Sequence, residues 1–229
     1  MRDYGPPKSL IASDGVQRVI DHVDRLLAEG RLVAGERLPE SEIGAELNIG
    51  RAQVREALRI LAGDGVIDLK PNSGARVRLI DRKRMIEMLQ VVNALLILVL
   101  PDYLTQRNLT NSLNRLDKSL AKGLSAPELC DAPALLGMLQ AFNAEIIAGA
   151  RNGHVIEIFR RIHFNHYNPL LLATLPHAGL LRLIRQNAQA TSALRARDVP
   201  LAKTLLQEAY RQVMAAFDRP TQSLPTSPR

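Results

Sequence analysis

Three arginines spaced four residues apart are the side chains in this sequence whose spacing best fits a binding chemistry. Arg51, Arg55 and Arg59 fall at i, i+4 and i+8, so a helix would carry them in one row. Arginine bonds bidentately to guanine edges or pairs with phosphate, so the row fits a helix in the major groove of DNA. An ordinary solvated helix face is the alternative, because charged side chains favour any protein surface. The arginines alone leave both interpretations open.

The residues around this row predict a helix-turn-helix. Val54, Leu58 and Leu61 recur at helical spacing and would form the buried face of the arginine helix. A shorter helical pattern precedes it in Glu40–Leu47, where Gly44 would let a second helix approach closely. The turn is predicted at residues 48–50, Asn-Ile-Gly, which interrupt the apolar spacing.

A basic hairpin is predicted directly after the arginine helix. The helix is expected to stop at residues 63–65, Gly-Asp-Gly, and residues 66–69 and 75–79 alternate like two short strands around a turn at 71–74. Arg76 and Arg78 would point outward from this wing. Together with an upstream apolar helix over residues 16–27, these elements favour a winged helix-turn-helix with three helices and a two-stranded wing.

The same residues resemble a known family. Residues 35–77, GERLPESEIGAELNIGRAQVREALRILAGDGVIDLKPNSGARV, resemble the DNA-binding domain of GntR-family bacterial regulators, in particular the FadR-like branch with an FCD-type effector domain. The resemblance lies in the spaced patterns L-P-E, R-x-x-V-R-E-A-L-R-x-L, D-G-V-I and P-N-x-G. It implies a sequence-specific DNA-binding transcriptional regulator in bacteria.

The resemblance also implies which residues contact DNA. Arg51 and Arg55 would be the principal contacts in the major groove, and the wing tip would reach the minor groove. The sequence departs from the family pattern at Gly50, where the family usually has a capping Ser or Thr, and at Ser41, where a further arginine often stands. The full candidate set is Ser41, Arg51, Gln53, Arg55, Arg59, Asn72, Ser73 and Gly74.

Composition is consistent with a nucleic-acid partner and a cytoplasmic protein. The 229 residues carry a formal net charge of +7, which favours a polyanionic partner. Cys130 is the only cysteine, so an intrachain disulfide is impossible and a reducing compartment is expected. The N-terminal residues have no apolar signal-peptide core, and the apolar run Leu89–Leu100 is shorter than the ~20 residues that a membrane span needs.

The sequence beyond the wing is predicted to be helical almost throughout. Helical patterns end at Gly and Pro residues and give an antiparallel all-α bundle of six or seven helices. The predicted helices are 85–100, one ending at Gly123, 134–150, 155–164, 180–197 and 201–217. The expected domains are residues 1–80 for DNA binding, 81–217 for effector binding and dimerisation, and 218–229 as a disordered tail.

The family resemblance implies a metal site that this chain lacks. Most members of the branch hold a divalent metal through an aspartate and three histidines, and alignment places Leu139, Asn143 and Asn187 at three of these positions. The last histidine falls near Ala209 or Tyr210, so no metal and no cofactor are expected. Leu139, Asn143, Asn187 and Tyr210 are the candidate effector pocket, with a closed, purely structural core as the alternative.

Five histidines remain in the chain. His163 and His166 lie three residues apart and could share a helix face as a surrogate metal pair. Ordinary surface or core histidines are the favoured interpretation, because no carboxylate lies close to them in the sequence. We find no catalytic triad, P-loop or dinucleotide fingerprint, so an enzyme is not expected.

Three functional interpretations follow from the sequence. The first is a homodimeric regulator, with repression more common than activation in the family, that senses a small-molecule effector without a metal. The second is an effector-independent regulator with a structural bundle. The third is a protein-interaction module whose basic helix binds acidic partners. A membrane partner is not expected.

Overall fold

The computed structural model describes residues 13–70 and 74–218, which form two compact units. The first unit takes the described residues up to Asp81 and also Arg160–Leu170. The second unit takes Arg82–Phe159 and the described residues from Leu171 onward. The predicted N-terminal arm and the predicted tail from residue 219 onward lie outside the described residues.

The first unit contains the predicted helix-turn-helix with a small sheet. Its elements are α1 (Asp14–Ala28), β1 (Arg37–Leu38), α2 (Glu40–Leu47), α3 (Arg51–Gly63), β2 (Ile67–Lys70) and β3 (Gly74–Val77). One apolar core joins them, with Val16, Val19 and Val23 from α1 and Val54 and Leu58 from α3 each no more than 1% exposed.

The turn between α2 and α3 depends on two residues with special backbone geometry. Asn48 ends α2 in the left-handed conformation, at φ 53°, which asparagine tolerates better than most residues. Gly44 then lies against the turn, because a Cβ at this position would come within 3.0 Å of the carbonyl oxygen of Ile49. The backbone N–H of Ile49 donates to the carbonyl of Gly44 at 2.9 Å, so the corner is closed by both contact and hydrogen bond.

The wing is a three-stranded antiparallel sheet in the order β1-β3-β2. The two-residue strand β1 adds a third strand to the predicted hairpin. The sequence pattern did not indicate this strand. Leu38 on β1 and Ala75 on β3 face the core at 2% and 0% exposure, whereas their neighbours Arg37 and Arg76 are exposed. The alternation therefore places an apolar face inward and a basic face outward.

The second unit is an all-α bundle. Its helices in the described residues are α4 (Arg82–Leu104), α5 (Leu109–Ser125), α6 (Ala132–Gly149), α7 (Gly153–Arg160), α8 (Asn168–Thr174), α9 (His177–Arg195) and α10 (Val199–Asp218). Short 3₁₀ turns lie at Pro127–Leu129 and Phe164–His166. The last residue of α7 and the first three residues of α8 fall on the stretch that belongs to the first unit.

Two predicted C-terminal helix ends are wrong by about one turn. The first bundle helix does not stop before Pro101 but continues to Leu104, with the proline inside it. The helix predicted over 155–164 ends at Arg160, because His163 adopts the left-handed conformation, at φ 49°, before the 3₁₀ turn. The short helix α8 was not predicted.

The helix α4 is long and apolar enough to cross a membrane by length and composition. It is longer than the apolar run Leu89–Leu100 from which the sequence argument started. Ten of its residues are buried within the protein, and the core helix of a soluble bundle meets the same criteria.

Candidate nucleic-acid interface

The helix α3 presents the predicted arginine row to solvent. Its buried residues are Val54, Ala57, Leu58 and Leu61, which pack into the core of the first unit. Arg51, Arg55 and Arg59 lie on the other side and are all exposed. The helix therefore has the amphipathic arrangement that a groove-binding helix requires.

Arg55 is engaged within the protein. Its Nε donates to Oε2 of Glu40 at 3.1 Å, which links the middle of α3 to the first residue of α2. The side chain of Arg55 is 65% exposed and that of Glu40 is 35% exposed, so the pair contributes little to stability. Glu40 instead limits the directions in which the guanidinium of Arg55 can point.

Two other candidates on these helices differ in their surroundings. Ser41 is exposed near the start of α2, beside Glu40. Gln53 is half-buried, and its Nε2 donates to Oγ of Ser13 at 3.4 Å. Its amide also lies against Gly15, where a Cβ would come within 2.8 Å. Gln53 therefore packs on the beginning of α1.

The two predicted wing arginines have different environments. Arg76 is exposed on β3, and its Nη1 donates to the carbonyl of Gly35 at 3.1 Å. Arg78 lies after the end of β3 and is half-buried, with its Nε donating to Oδ1 of Asp68 at 2.7 Å. The prediction of two outward arginines is therefore wrong for Arg78, because Asp68 holds it against the sheet.

The wing tip is described only in part. Gly74 is the first residue of β3, with a left-handed φ of 75° that favours glycine. Asn72 and Ser73 lie outside the described residues, so their predicted contact with the minor groove stays a prediction.

Arg37 is a candidate contact that the sequence analysis missed. It pairs directly across the sheet with Arg76, and both side chains are exposed. The guanidinium of Arg37 lies beside the wing tip, since a Cβ on Gly74 would be 3.5 Å from its Nε. Arg37 and Arg76 thus place two like charges opposite each other, and Asp68 on β2 lies across from Arg76 on its other side. The short strand that places Arg37 there has no clear pattern in the sequence.

Comparison with known proteins shows which type of domain the first unit resembles. Residues 16–77 match the family model for "Bacterial regulatory proteins, gntR family". A relative from Paenarthrobacter nicotinovorans, the "Probable D-xylose utilization operon transcriptional repressor", is 34% identical over 88 residues. That match covers 38% of this chain and 39% of the relative. These matches show that residues 16–77 are similar to the DNA-binding domain of GntR-family regulators.

Solved structures extend the likeness to nearly the whole chain at the level of fold. The structure of E. coli McbR/YncC has a TM-score of 0.75 at 19% identity and covers 90% of this chain and 97% of that one. A GntR structure from Rhodococcus sp. RHA1 has a TM-score of 0.71 at 20% identity, covering 88% and 96%. These structures share the fold of this chain, a winged helix followed by a helical domain.

The candidate effector residues lie in the interior of the second unit. Leu139, Asn187 and Tyr210 are 8%, 6% and 9% exposed, and Asn143 is half-buried. Nδ2 of Asn143 donates to the hydroxyl of Tyr210 at 2.9 Å, so two of the four are brought together. Burial raises the pKa of the Tyr210 hydroxyl above its usual range, although the Asn143 hydrogen bond lowers it in part.

His163 and His166 do not share a helix face, which corrects the geometry assumed for a metal pair. Both are buried, but His163 precedes the 3₁₀ turn that contains His166. Both ring nitrogens of His163 face carboxylates, with Nδ1 3.0 Å from Asp24 and Nε2 3.2 Å from Asp64. Residues 13–70 and 74–218 contain no group of three or more His, Cys, Asp or Glu arranged to hold a metal.

Proposed function

We propose that this protein is a homodimeric, cytoplasmic repressor of the FadR-like branch of the GntR family, and that it senses a small-molecule effector without a metal. The exposed row of Arg51, Arg55 and Arg59 on a helix with a buried opposite face carries the DNA-binding part of this proposal. Arginine forks recognise guanine in the major groove, while Arg37 and Arg76 on the wing would pair with phosphate.

A second copy of the chain is the partner that the surface of α4 supports. Val91 and Leu98 on this helix are 47% and 62% exposed, and Ala94 lies between them on the same exposed face. Exposed apolar residues at helical spacing are characteristic of an interface between proteins. A two-fold dimer would give two recognition helices, and hence a near-palindromic operator.

An effector without metal is supported by the residues that replace the family's ligands. Leucine at 139 offers no lone pair to a metal, and the amides of Asn143 and Asn187 are neutral and weak ligands. The same amides, with the Tyr210 hydroxyl, can exchange hydrogen bonds with a neutral polar ligand. We therefore expect an effector of lower charge than the carboxylates that a metal site would hold.

The DNA-binding proposal is tested by the substitution Arg55→Ala. The operator is first selected from random duplex DNA with the wild-type protein, and affinities are then measured at fixed salt. We expect Arg55→Ala to weaken binding to the selected operator by about 10- to 100-fold, because one bidentate contact is worth about 1–3 kcal/mol. Binding to unrelated DNA should change much less.

The matched control is Arg185→Ala, which removes an exposed arginine from α9 and leaves the first unit unchanged. It should retain operator affinity. An equal loss of affinity for every DNA sequence and for heparin with Arg55→Ala would favour an interaction module that binds acidic partners.

The proposal that the protein binds no metal is tested by elemental analysis of the purified protein. Its melting temperature is also measured in chelator, in zinc and in nickel. We expect no stoichiometric metal and an unchanged melting temperature. A stoichiometric metal that chelator removes, with a fall in melting temperature, would contradict the assignment of Leu139, Asn143 and Asn187.

A further inference from the structure

One short stretch of chain belongs to the first unit although the residues on both sides of it belong to the second. Residues Arg160–Leu170 belong to the first unit, although α7 before them and α8 after them belong mainly to the second. The chain therefore passes from the second unit to the first and back within eleven residues. We name Arg160–Leu170 the strap.

The strap is attached to the first unit through the side chain of His163. Nδ1 of His163 lies 3.0 Å from both carboxylate oxygens of Asp24 on α1. Nε2 lies 3.2 Å from Oδ2 of Asp64, the residue that caps the C-terminal end of α3. A neutral imidazole has only one N–H, so both contacts are donated hydrogen bonds only when the ring is an imidazolium.

A second hydrogen bond attaches the strap to the same end of α1. Nδ2 of Asn165 donates to the backbone carbonyl of Asp24 at 3.3 Å. Nδ2 of Asn168, in turn, donates to Oδ1 of Asn165 at 3.1 Å, which stiffens the strap itself. Two strap residues, His163 and Asn165, thus both contact Asp24 on α1.

The attachment is shielded from water. The side chains of His163, Asp64 and Asp24 are 6%, 13% and 28% exposed. Burial lowers the pKa of His163, but the hydrogen bonds to Asp24 and Asp64 outweigh it and raise the pKa to about 9. The imidazolium therefore persists at neutral pH, and removing it would leave two carboxylates facing each other without a cation.

The position of Asp64 relates the attachment to DNA binding. Asp64 directly follows the helix that carries the arginine row, and its backbone N–H donates to Ile60 at 2.8 Å. His163 is three residues from the end of α7, and α8 begins five residues after His163. Very little chain therefore connects α7 and α8 to the residue that contacts the end of α3.

We propose that the strap couples the second unit to the recognition helix, with the His163 contact to Asp24 and Asp64 as the link that is made or broken. This coupling rests on the proposed function, because it assigns a route to the regulation of the same DNA-binding unit. Coupling between two sites is reciprocal, so DNA bound by the first unit must change the stability of α7 and α8.

The reciprocal effect allows a test without knowledge of the effector. Amide hydrogen exchange is measured on the full-length protein, free and bound to its selected operator DNA, and the same samples report operator affinity. In the wild type, DNA should change the exchange rates of α7 and α8 by at least about threefold, as coupling of this kind is commonly 5- to 150-fold. The substitution His163→Asn should reduce that response at least by half and weaken operator binding by about three- to tenfold.

The variants are chosen to preserve folding, so that a change in coupling is not confused with unfolding. Asparagine tolerates the left-handed backbone of residue 163, and it removes the charge. Asp64→Asn is the second variant, since it keeps the shape of the carboxylate and leaves the His163–Asp24 contact intact. The double variant should show less than the sum of the two single effects, because both break one link. His154→Asn, at an exposed histidine of α7, is the matched control and should behave as the wild type.

The outcomes separate this proposal from the proposed function. Operator binding with no exchange response in α7 and α8, or with the same response in His163→Asn, would overturn the coupling and leave DNA binding intact. Failure of the wild type to select any DNA sequence would overturn the proposed function and the coupling with it.

Discussion

The helices α3 and α4 each have one buried face, but the residues on their exposed faces differ in charge and polarity. The exposed face of α3 carries Arg51, Arg55 and Arg59, whereas the middle of the exposed face of α4, between Glu87 and Asp102, carries the apolar Val91, Ala94 and Leu98. Their buried faces are alike in being mainly aliphatic. The difference shows that packing determines only one side of each helix, and that the other side indicates the partner: a polyanion for α3 and an apolar surface for α4.

The comparison is tested most strongly by placing a charge on the apolar face of α4. We expect Leu98→Glu to weaken self-association by at least about 100-fold, because an unpaired carboxylate would be buried at the interface. Analytical ultracentrifugation measures the change, and operator affinity should fall with it. Leu129→Glu places the same charge on an isolated leucine that is 70% exposed, and should not alter association. A Leu98→Glu protein that associates as the wild type does would exclude this face as the interface.

The ends of α3 and α4 also differ, since a charged contact secures the C-terminal end of α3. The pKa of His163 is raised to about 9, so the contact with Asp24 and Asp64 stabilises fully below the ordinary histidine pKa of 6.5 and is lost as pH rises through about 9. We expect the difference in unfolding free energy between wild type and His163→Asn to fall by roughly 3 kcal/mol over that range. Denaturant unfolding at pH 6 and pH 10 measures it. A difference that is independent of pH would mean that His163 is not charged in the folded protein.

The buried side of α4 depends on close packing against a glycine. Tyr103 on α4 is fully buried, and a Cβ at Gly149 on α6 would come within 2.5 Å of its ring. We expect Gly149→Ala to destabilise the protein by about 1–2 kcal/mol, because the ring must shift within a packed core. Gly137→Ala on the same helix is the control, with no atom near the added Cβ, and should stabilise slightly. Thermal unfolding of both variants checks the prediction, and equal effects would contradict it.

Local signals explain how much of the fold could be predicted. The bounds of α2 are those predicted. The residue types Asn48 and Gly44 mark the turn in the sequence, and in the structure Asn48 is left-handed and Gly44 is closely packed. The arginine row was likewise visible in spacing alone. The effector residues were approached only through a family resemblance, and among them the structure joins Asn143 to Tyr210, 67 positions apart.

The strap could not be predicted, because its partners are remote in the chain. His163 lies 139 residues from Asp24 and 99 from Asp64, so no sequence window contains both the histidine and a carboxylate that it meets. Helical spacing favoured a continuous helix through this stretch, and the left-handed backbone of His163 interrupts it. Separation in the chain also hid the pairing of Arg37 with Arg76, which depends on a two-residue strand.

The strap has a consequence for how this protein can be divided or recombined. A fragment that stops at Asp81 would contain Asp24 and Asp64 but not the histidine between them, so the two carboxylates would lose the cation that they share. A chimera that joins this winged helix to another bundle would have the same defect unless the new bundle supplied an equivalent histidine. The DNA-binding module of this chain is therefore discontinuous, and the exchangeable piece includes eleven residues from the middle of its neighbour.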